Sequence, residues 1–398
     1  MIFSKRVTSI APSVTLAITA KSGKLREEGK DVISFGAGEP DFNTPENIQA
    51  AAVKAMQEGK TKYTSVSGIT ELKQAIADKF RVDNGLDYEL SQILVSTGAK
   101  QSLANAFLAA LNEGDEVLMA VPFWVTYPEL VKLAGGVPVF CEGKAENNYK
   151  LSRDLMEKHL TPRSKAVILN SPNNPTGAVY TEEELKEIAE VAKEHDLLIV
   201  SDEMYEKLIY GDNRHYSIAA VSEDAYSRTL TINGVSKAYA MTGWRLGYAA
   251  GPQELMKLMT SVQSHITGNA GSITQYAAVE ALTGDQSALN MMVGAFKQRR
   301  DLLVDLIRAI PGVSCLRPEG AFYVMMNVEQ LIGRKYLGKT IASALDFSER
   351  LLSEKLVAVV PGEGFGQDGY VRFSYATSED NIRKGMVRVA EFISELEE

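Results

Sequence analysis

The sequence predicts an α/β protein, with a mainly parallel sheet covered by helices and a smaller α+β unit after it. Two observations carry this. From about Ile93 to Gly251, short apolar runs of strand length alternate with helical patterns, and most of the runs are continuously apolar, as in strands covered on both faces. After Asp285 the alternation gives way to one long amphipathic stretch and then a second set of short strands and helices. With 398 residues, the chain has room for more than one domain and a large buried core.

In chain order, the segment from Met1 to Gly29 holds an apolar stretch around Val14 to Ile18. Ser13, Thr15 and Thr19 interrupt it, and Lys21, Lys24 and Arg26 follow. That is too short and too polar for a signal peptide or a membrane span, so a cytoplasmic protein is expected. Candidate strands follow at 93–96, 116–121, 166–170, 198–202, 229–232 and 246–250. Between them, 99–111 reads as a helix with Leu103, Ala106, Phe107, Ala110 and Leu111 on one stripe. Another helix is expected over 181–193, where Thr181 and Glu184 form a capping box. The amphipathic stretch 288–310 stops at Pro311-Gly312, and strands are expected at 321–326, 358–360 and 370–374. The N-terminal segment should fold against this second unit. The expected division is a large domain of residues 46–285 and a small domain made of 1–45 and 286–398.

Composition narrows the function. Lys+Arg number 42 against 51 Asp+Glu, a net charge of -9 with no basic run, so nucleic acid and anionic membranes are disfavoured partners. The two cysteines, Cys141 and Cys315, fit a reducing compartment better than a disulfide framework. The four histidines are scattered, and no Cys/His spacing suggests a metal site.

Several residues suit chemistry on a small anionic ligand. Lys237 lies among Gly234, Ala238, Met241 and Trp244, small or apolar neighbours that lower an amine's pKa by desolvation. Such a lysine can form a Schiff base with an aldehyde; the plainer reading is a surface charge. Asp202 ends an apolar strand, where it either caps the next helix or faces the crevice in which α/β proteins bind ligands. Gly98-Ala99-Lys100 joins a strand to a helix N-terminus that favours phosphate. Lys100, a cation in a first helical turn, is unfavourable by roughly 0.3–1 kcal/mol unless an anion lies near; the alternative is a lysine that reaches solvent. The loop Asn170-Ser171-Pro172-Asn173-Asn174-Pro175-Thr176-Gly177 is a turn by composition, and its two X-Pro bonds are the sites most suited to cis peptides. Trp124 packs as a core aromatic or stacks on a planar ring. Arg372, flanked by apolar residues in Val371-Arg372-Phe373, needs an anion and suits a carboxylate.

Taken in order, these segments resemble the class I aminotransferases of pyridoxal-phosphate fold type I, over about Ser13 to Lys384. The motifs are Ala37-Gly38-Glu39-Pro40-Asp41, Lys62-Tyr63-Thr64, Ser96-Thr97-Gly98-Ala99-Lys100-Gln101, Pro122-Phe123-Trp124, the loop from Asn170 to Gly177, Ser201-Asp202-Glu203-Met204-Tyr205, Ser236-Lys237-Ala238, Met241-Thr242-Gly243-Trp244-Arg245 and Arg372-Phe373-Ser374-Tyr375. The chain is most similar to the shorter subgroup of bacterial aspartate aminotransferases, some of which also use prephenate. The resemblance implies a seven-stranded sheet, pyridoxal 5'-phosphate as cofactor and a homodimer with shared sites. It implies that Lys237 carries the cofactor and shuttles the proton, that Asp202 pairs with the pyridine nitrogen, and that Asn174 and Tyr205 bond the phenolic oxygen. Trp124 would stack on the ring. Gly98, Ala99, Lys100, Ser236 and Arg245 would surround the phosphate, joined by Tyr63 from the neighbouring subunit. Arg372 would grip the substrate α-carboxylate, with Asn174 and Trp124 beside it and the Gly38 backbone closing over it.

For the amino donor, the resemblance makes Lys100 the partner of a distal carboxylate, assisted by Ser13 and Thr15, and so implies aspartate with glutamate/2-oxoglutarate. Members that use prephenate tend to carry a lysine where this chain has Ala11, so little prephenate activity is expected, unless Lys5 or Arg6 substitutes. Other readings remain open: transamination of aromatic amino acids or alanine, a fold type I β-lyase, or a regulator built on the same fold.

Overall fold

The computed structural model describes residues 3–12 and 14–398. A seven-stranded sheet lies at its centre, in the order Ile93–Ser96, Gly247–Ala250, Thr229–Gly234, Leu198–Asp202, Ser164–Asn170, Glu116–Val121 and Val137–Glu142. All neighbours are parallel except around Gly247–Ala250, which runs antiparallel to both of its partners. Six strands lie where the apolar runs predict them, to within two residues. The seventh, Val137–Glu142, is the edge strand that pattern reading passed over. It contains Pro138, pairs on one side only and leaves Val137 and Phe140 exposed, so it lacks the continuous apolar signature.

Helices cover both faces of the sheet. Ala99–Ala110 buries Leu103, Ala106 and Phe107 against one face. On the other, Glu182–Glu194 buries Leu185, Ile188 and Val191. The Leu, Ile, Val and Phe side chains among these each contribute roughly 1.5–3 kcal/mol when fully buried. The Thr181 hydroxyl accepts from the Glu184 N–H at 3.3 Å, and the Glu184 carboxylate accepts from the Thr181 N–H at 2.8 Å, forming the expected capping box.

Helix Ser287–Arg308 ties two cores together: Leu289 packs with the sheet-side helices, whereas Phe296, Leu303 and Ile307 belong to the C-terminal core. That core surrounds a four-stranded sheet in which Tyr370–Ser374 lies between Val360–Pro361 and Tyr323–Asn327. The expected 358–360 strand is two short ones, because Val357–Ala358 pairs in parallel with Ile33–Ser34 while Val360–Pro361 joins the four-stranded sheet. Through this pairing, and through Ile18 packed with Leu352 and Ala358, the N-terminal segment joins the C-terminal unit.

Candidate active site

Adjacent parallel strands end together, with Asn170 opposite Asp202 and Asp202 opposite Ile232, so residues just beyond these ends face one crevice. A cavity of about 280 Å³ opens there, closed from the C-terminal unit by Arg372 and Tyr323.

Lys237 stands on its floor. Its Nζ donates to the Gly38 carbonyl and lies 6.0 Å and 5.8 Å from the Tyr205 and Phe322 ring centres. Desolvation brings its pKa down to about 8, against the pull of Glu39; Arg372 and Arg245 push the same way as burial. Asp202 is 4% exposed, and desolvation lifts its pKa to about 6 despite two donors. The Tyr127 hydroxyl donates to its Oδ2 at 2.7 Å and the Met204 N–H to its Oδ1 at 3.2 Å. An amine and a carboxylate pushed towards neutrality in one cleft are a hallmark of a catalytic site.

Arg372 is 2% exposed. Its guanidinium donates to Asn174 Oδ1 at 2.9 Å and to the Gly36 carbonyl at 3.1 Å, over the Tyr323 ring at 4.3 Å. Its Nε is buried with no partner, and burial lowers its pKa. Neutral acceptors alone leave this cation with donor capacity to spare, which a carboxylate would take up. Asn174 is itself set by Asn170, whose Oδ1 accepts from the Asn174 N–H at 2.8 Å while its Nδ2 donates to the Asp202 carbonyl at 2.9 Å. Both Ser171-Pro172 and Asn174-Pro175 are cis.

The opposite end is built for an anion. Helix Ala99–Ala110 begins there, Gly98 has φ 83°, and a Cβ on Gly98 would strike the Arg245 guanidinium. Arg245, with φ 53°, donates to the Thr242 carbonyl at 2.8 Å, and Ser236 lines the same wall. Lys100 is exposed, with its Nζ 5.0 Å from the Trp124 ring centre. Desolvation and then the Arg245 charge lower its pKa.

Of the residues singled out in the sequence, Thr15, Gly38, Ala99, Lys100, Trp124, Asn174, Asp202, Tyr205, Ser236, Lys237, Arg245 and Arg372 line this cavity. Gly98 stands directly behind Arg245. Tyr63 is not in the wall: it is 99% exposed, on a loop pinned by Gln263 to the Val66 carbonyl and by Gln275 to Thr64. Ser13 lies outside the described residues. Pattern reading missed Tyr127 and Tyr323, and named Asn170 only as the start of its loop. Tyr127 was open to discovery as the residue one helical turn beyond Trp124, and Asn170 as the end of the strand beside Asp202. Tyr323 carries no local signal.

Beneath the site, Glu203, Glu206 and His215 converge within 4.8 Å, a grouping capable of holding a metal. Lys79 and Asn84 already engage Glu206, and Ser201, Ser217 and His215 engage Glu203. The cluster therefore reads as a buried ion network that anchors the turn carrying Asp202 and Tyr205. Among the described residues, no helix is long and apolar enough to cross a membrane.

A family model described as aminotransferase class I and II matches residues 30–389. The chain is 50% identical over 396 residues to a protein named aspartate aminotransferase from Geobacillus stearothermophilus, covering 99% of each. Among solved structures, an aspartate aminotransferase from Rhizobium meliloti superposes with a TM-score of 0.96 at 44% identity, covering 100% of both chains. An aspartate aminotransferase from Thermus thermophilus with maleate gives 0.93 at 45% identity, covering 98% of this chain and 100% of that one.

Proposed function

The chain belongs to the class I and II aminotransferases, and from that premise we propose that it is a pyridoxal-phosphate-dependent aspartate aminotransferase. It exchanges amino groups between L-aspartate and 2-oxoglutarate. The observation that carries the reading is the pairing, in one cavity, of a buried lysine brought down to about 8 with a buried arginine whose Nε has no partner. The relative from Thermus thermophilus was solved with maleate, a dicarboxylate, which agrees with two cationic ends to the substrate site.

The cavity fits the cofactor. The helix N-terminus at Ala99, with Gly98 leaving room for Arg245 and with Ser236 beside them, suits the phosphate. Asp202 suits a protonated pyridine nitrogen, and Trp124 and Tyr205 suit the ring and its phenolic oxygen. When bound, pyridoxal phosphate supplies the electron sink that makes the substrate Cα–H acidic.

The remaining work falls to the chain's own groups. Arg372 binds the α-carboxylate, with the Gly38 backbone closing over it and Asn174 holding the guanidinium in place. Lys237 Nζ would hold the cofactor at its aldehyde carbon. As a free amine it would take the proton from the substrate Cα and return it one position along, a role that its lowered basicity in the cofactor-free site favours. Asp202 would hold a proton at the pyridine nitrogen. Lys100, with Thr15 near it, takes the distal carboxylate.

The assembly is a homodimer in which Tyr63 reaches the partner's phosphate site; a tyrosine 99% exposed on a tightly held loop supports this. The domain division is 46–285 against 1–45 with 286–398, supported by the Ile33–Ser34 pairing. A cytoplasmic location agrees with two free cysteines. The deciding experiment is a half-reaction screen of the holoenzyme with aspartate, glutamate, alanine and aromatic amino acids. Aspartate and glutamate should convert the cofactor fastest, with no ammonia released. Ammonia release, or a faster reaction with alanine, would overturn the assignment.

A further inference from the structure

We propose that Tyr127 is a positioning residue for the reaction, its hydroxyl fixing the Asp202 carboxylate in the orientation and the ionised state that a protonated ring nitrogen requires. This rests on the role given to Asp202 above. Tyr127 sits in the first turn of helix Thr126–Leu133, 2% exposed, with its N–H bonded to the Trp124 carbonyl at 2.9 Å. Its ring stands edge-on to Trp124, at 5.4 Å and 88°, so both its ends are held.

Among the described residues, the 2.7 Å bond from Tyr127 is the only side-chain hydrogen bond to the Asp202 carboxylate, and Asp202 is the hydroxyl's only acceptor. Each carboxylate oxygen offers two acceptor directions, so one remains on each after Tyr127 and Met204 are served. The surroundings work in both directions. Burial and Glu203, the next residue along, favour the protonated carboxyl. Lys237, from beyond the neighbouring strand, favours the ionised one, and so does the bond from Tyr127. Tyr205, the remaining titratable neighbour, is buried and raised far above neutrality, so it stays uncharged. Removing the Tyr127 hydroxyl therefore takes away the one donor side chain that opposes desolvation at close range.

The test follows the Asp202 carboxyl in the apoprotein by infrared spectroscopy with labelled aspartate, using Asp202→Asn as the subtraction. In the unmodified chain it should titrate near pH 6. In Tyr127→Phe the midpoint should rise by about one pH unit or more, as loss of a charge-assisted hydrogen bond implies. Capture of pyridoxal phosphate by that apoprotein should weaken about twofold at pH 7, approach a roughly tenfold deficit below about pH 6 and recover as the pH rises, for the same reason. Replacing Tyr127 by 3-fluorotyrosine keeps the shape but strengthens the donor, and should move the midpoint down. Unchanged midpoints in both variants, or a capture deficit independent of pH, overturn the proposal. An Asp202→Asn apoprotein that captures the cofactor as tightly as the unmodified chain overturns instead the role of Asp202 on which it rests.

Discussion

Burial gives Lys237 the lowered basicity that its proposed role requires. In the apoprotein, a pKa lowered from 10.5 to about 8 means that the folded state holds the lysine's proton less tightly than the unfolded chain does. The resulting penalty is present in full below about pH 8 and fades as the pH rises towards 10.5. Lys237→Met should abolish turnover and the visible absorbance of bound cofactor. The apo variant should also be more stable than the apo parent at pH 7, by on the order of 1–3 kcal/mol. That advantage should shrink above pH 8 in melts followed by circular dichroism. A constant gap across this range would contradict the desolvated-amine account. Lys100 is the other residue whose charge carries a prediction. Lys100→Ala should lower kcat/KM for aspartate by about tenfold or more, the equivalent of roughly 1.5–3 kcal/mol, and leave alanine nearly unchanged. Equal losses for both substrates would remove Lys100 from the recognition of the distal carboxylate.

Two elements make the binding end of the cavity, and each has its own test. The turn into helix Ala99–Ala110 depends on Gly98, whose φ of 83° disfavours a side chain and whose missing Cβ leaves the space occupied by Arg245. Gly98→Ala should cost about 1–2 kcal/mol of stability and weaken pyridoxal phosphate capture, because the guanidinium must move. A fluorescence titration with unchanged Kd would show that Arg245 does not depend on that gap. The N-terminal segment carries the prediction for larger substrates. Ala11 is uncharged, and its N–H donates to Glu129 Oε2 at 2.9 Å, so a carboxylate stands beside the position where the family resemblance leads one to expect a cation in a prephenate user. Lys5 and Arg6, exposed on the short helix Lys5–Thr8, are the nearest substitutes in sequence. Prephenate should be a poor amino acceptor, and Ala11→Lys should improve it selectively. Efficient prephenate turnover by the unmodified enzyme would refute this.

At the scale of the molecule, the cavity is assembled from strand ends of the central sheet and from Arg372 and Tyr323 of the C-terminal unit, with Tyr63 exposed outside it. A dimer in which Tyr63 serves the partner's site should therefore be the active form. Sedimentation should find a dimer. Tyr63→Phe should weaken cofactor binding by about tenfold or more, as loss of one charge-assisted bond would. A catalytically competent monomer at high dilution, or unaltered cofactor affinity in Tyr63→Phe, would count against the shared site.

By itself, the sequence determined the parts whose cause is local: six apolar strands, the Thr181 capping box, the strand–Gly–helix junction at Gly98 and the order of the motifs around Lys237, Asp202 and Arg372. Each follows from periodicity or from chemistry within a few neighbouring residues. Only the tertiary structure decided the rest, because the rest depends on partners far apart in the chain. The edge strand Val137–Glu142 is defined by its one neighbour rather than by its composition. Tyr127 finds Asp202 across 75 residues, and Arg372 finds Asn174 across 198 and Gly36 across 336. The pKa shifts of Lys237 and Asp202 arise from the water that those distant elements together exclude.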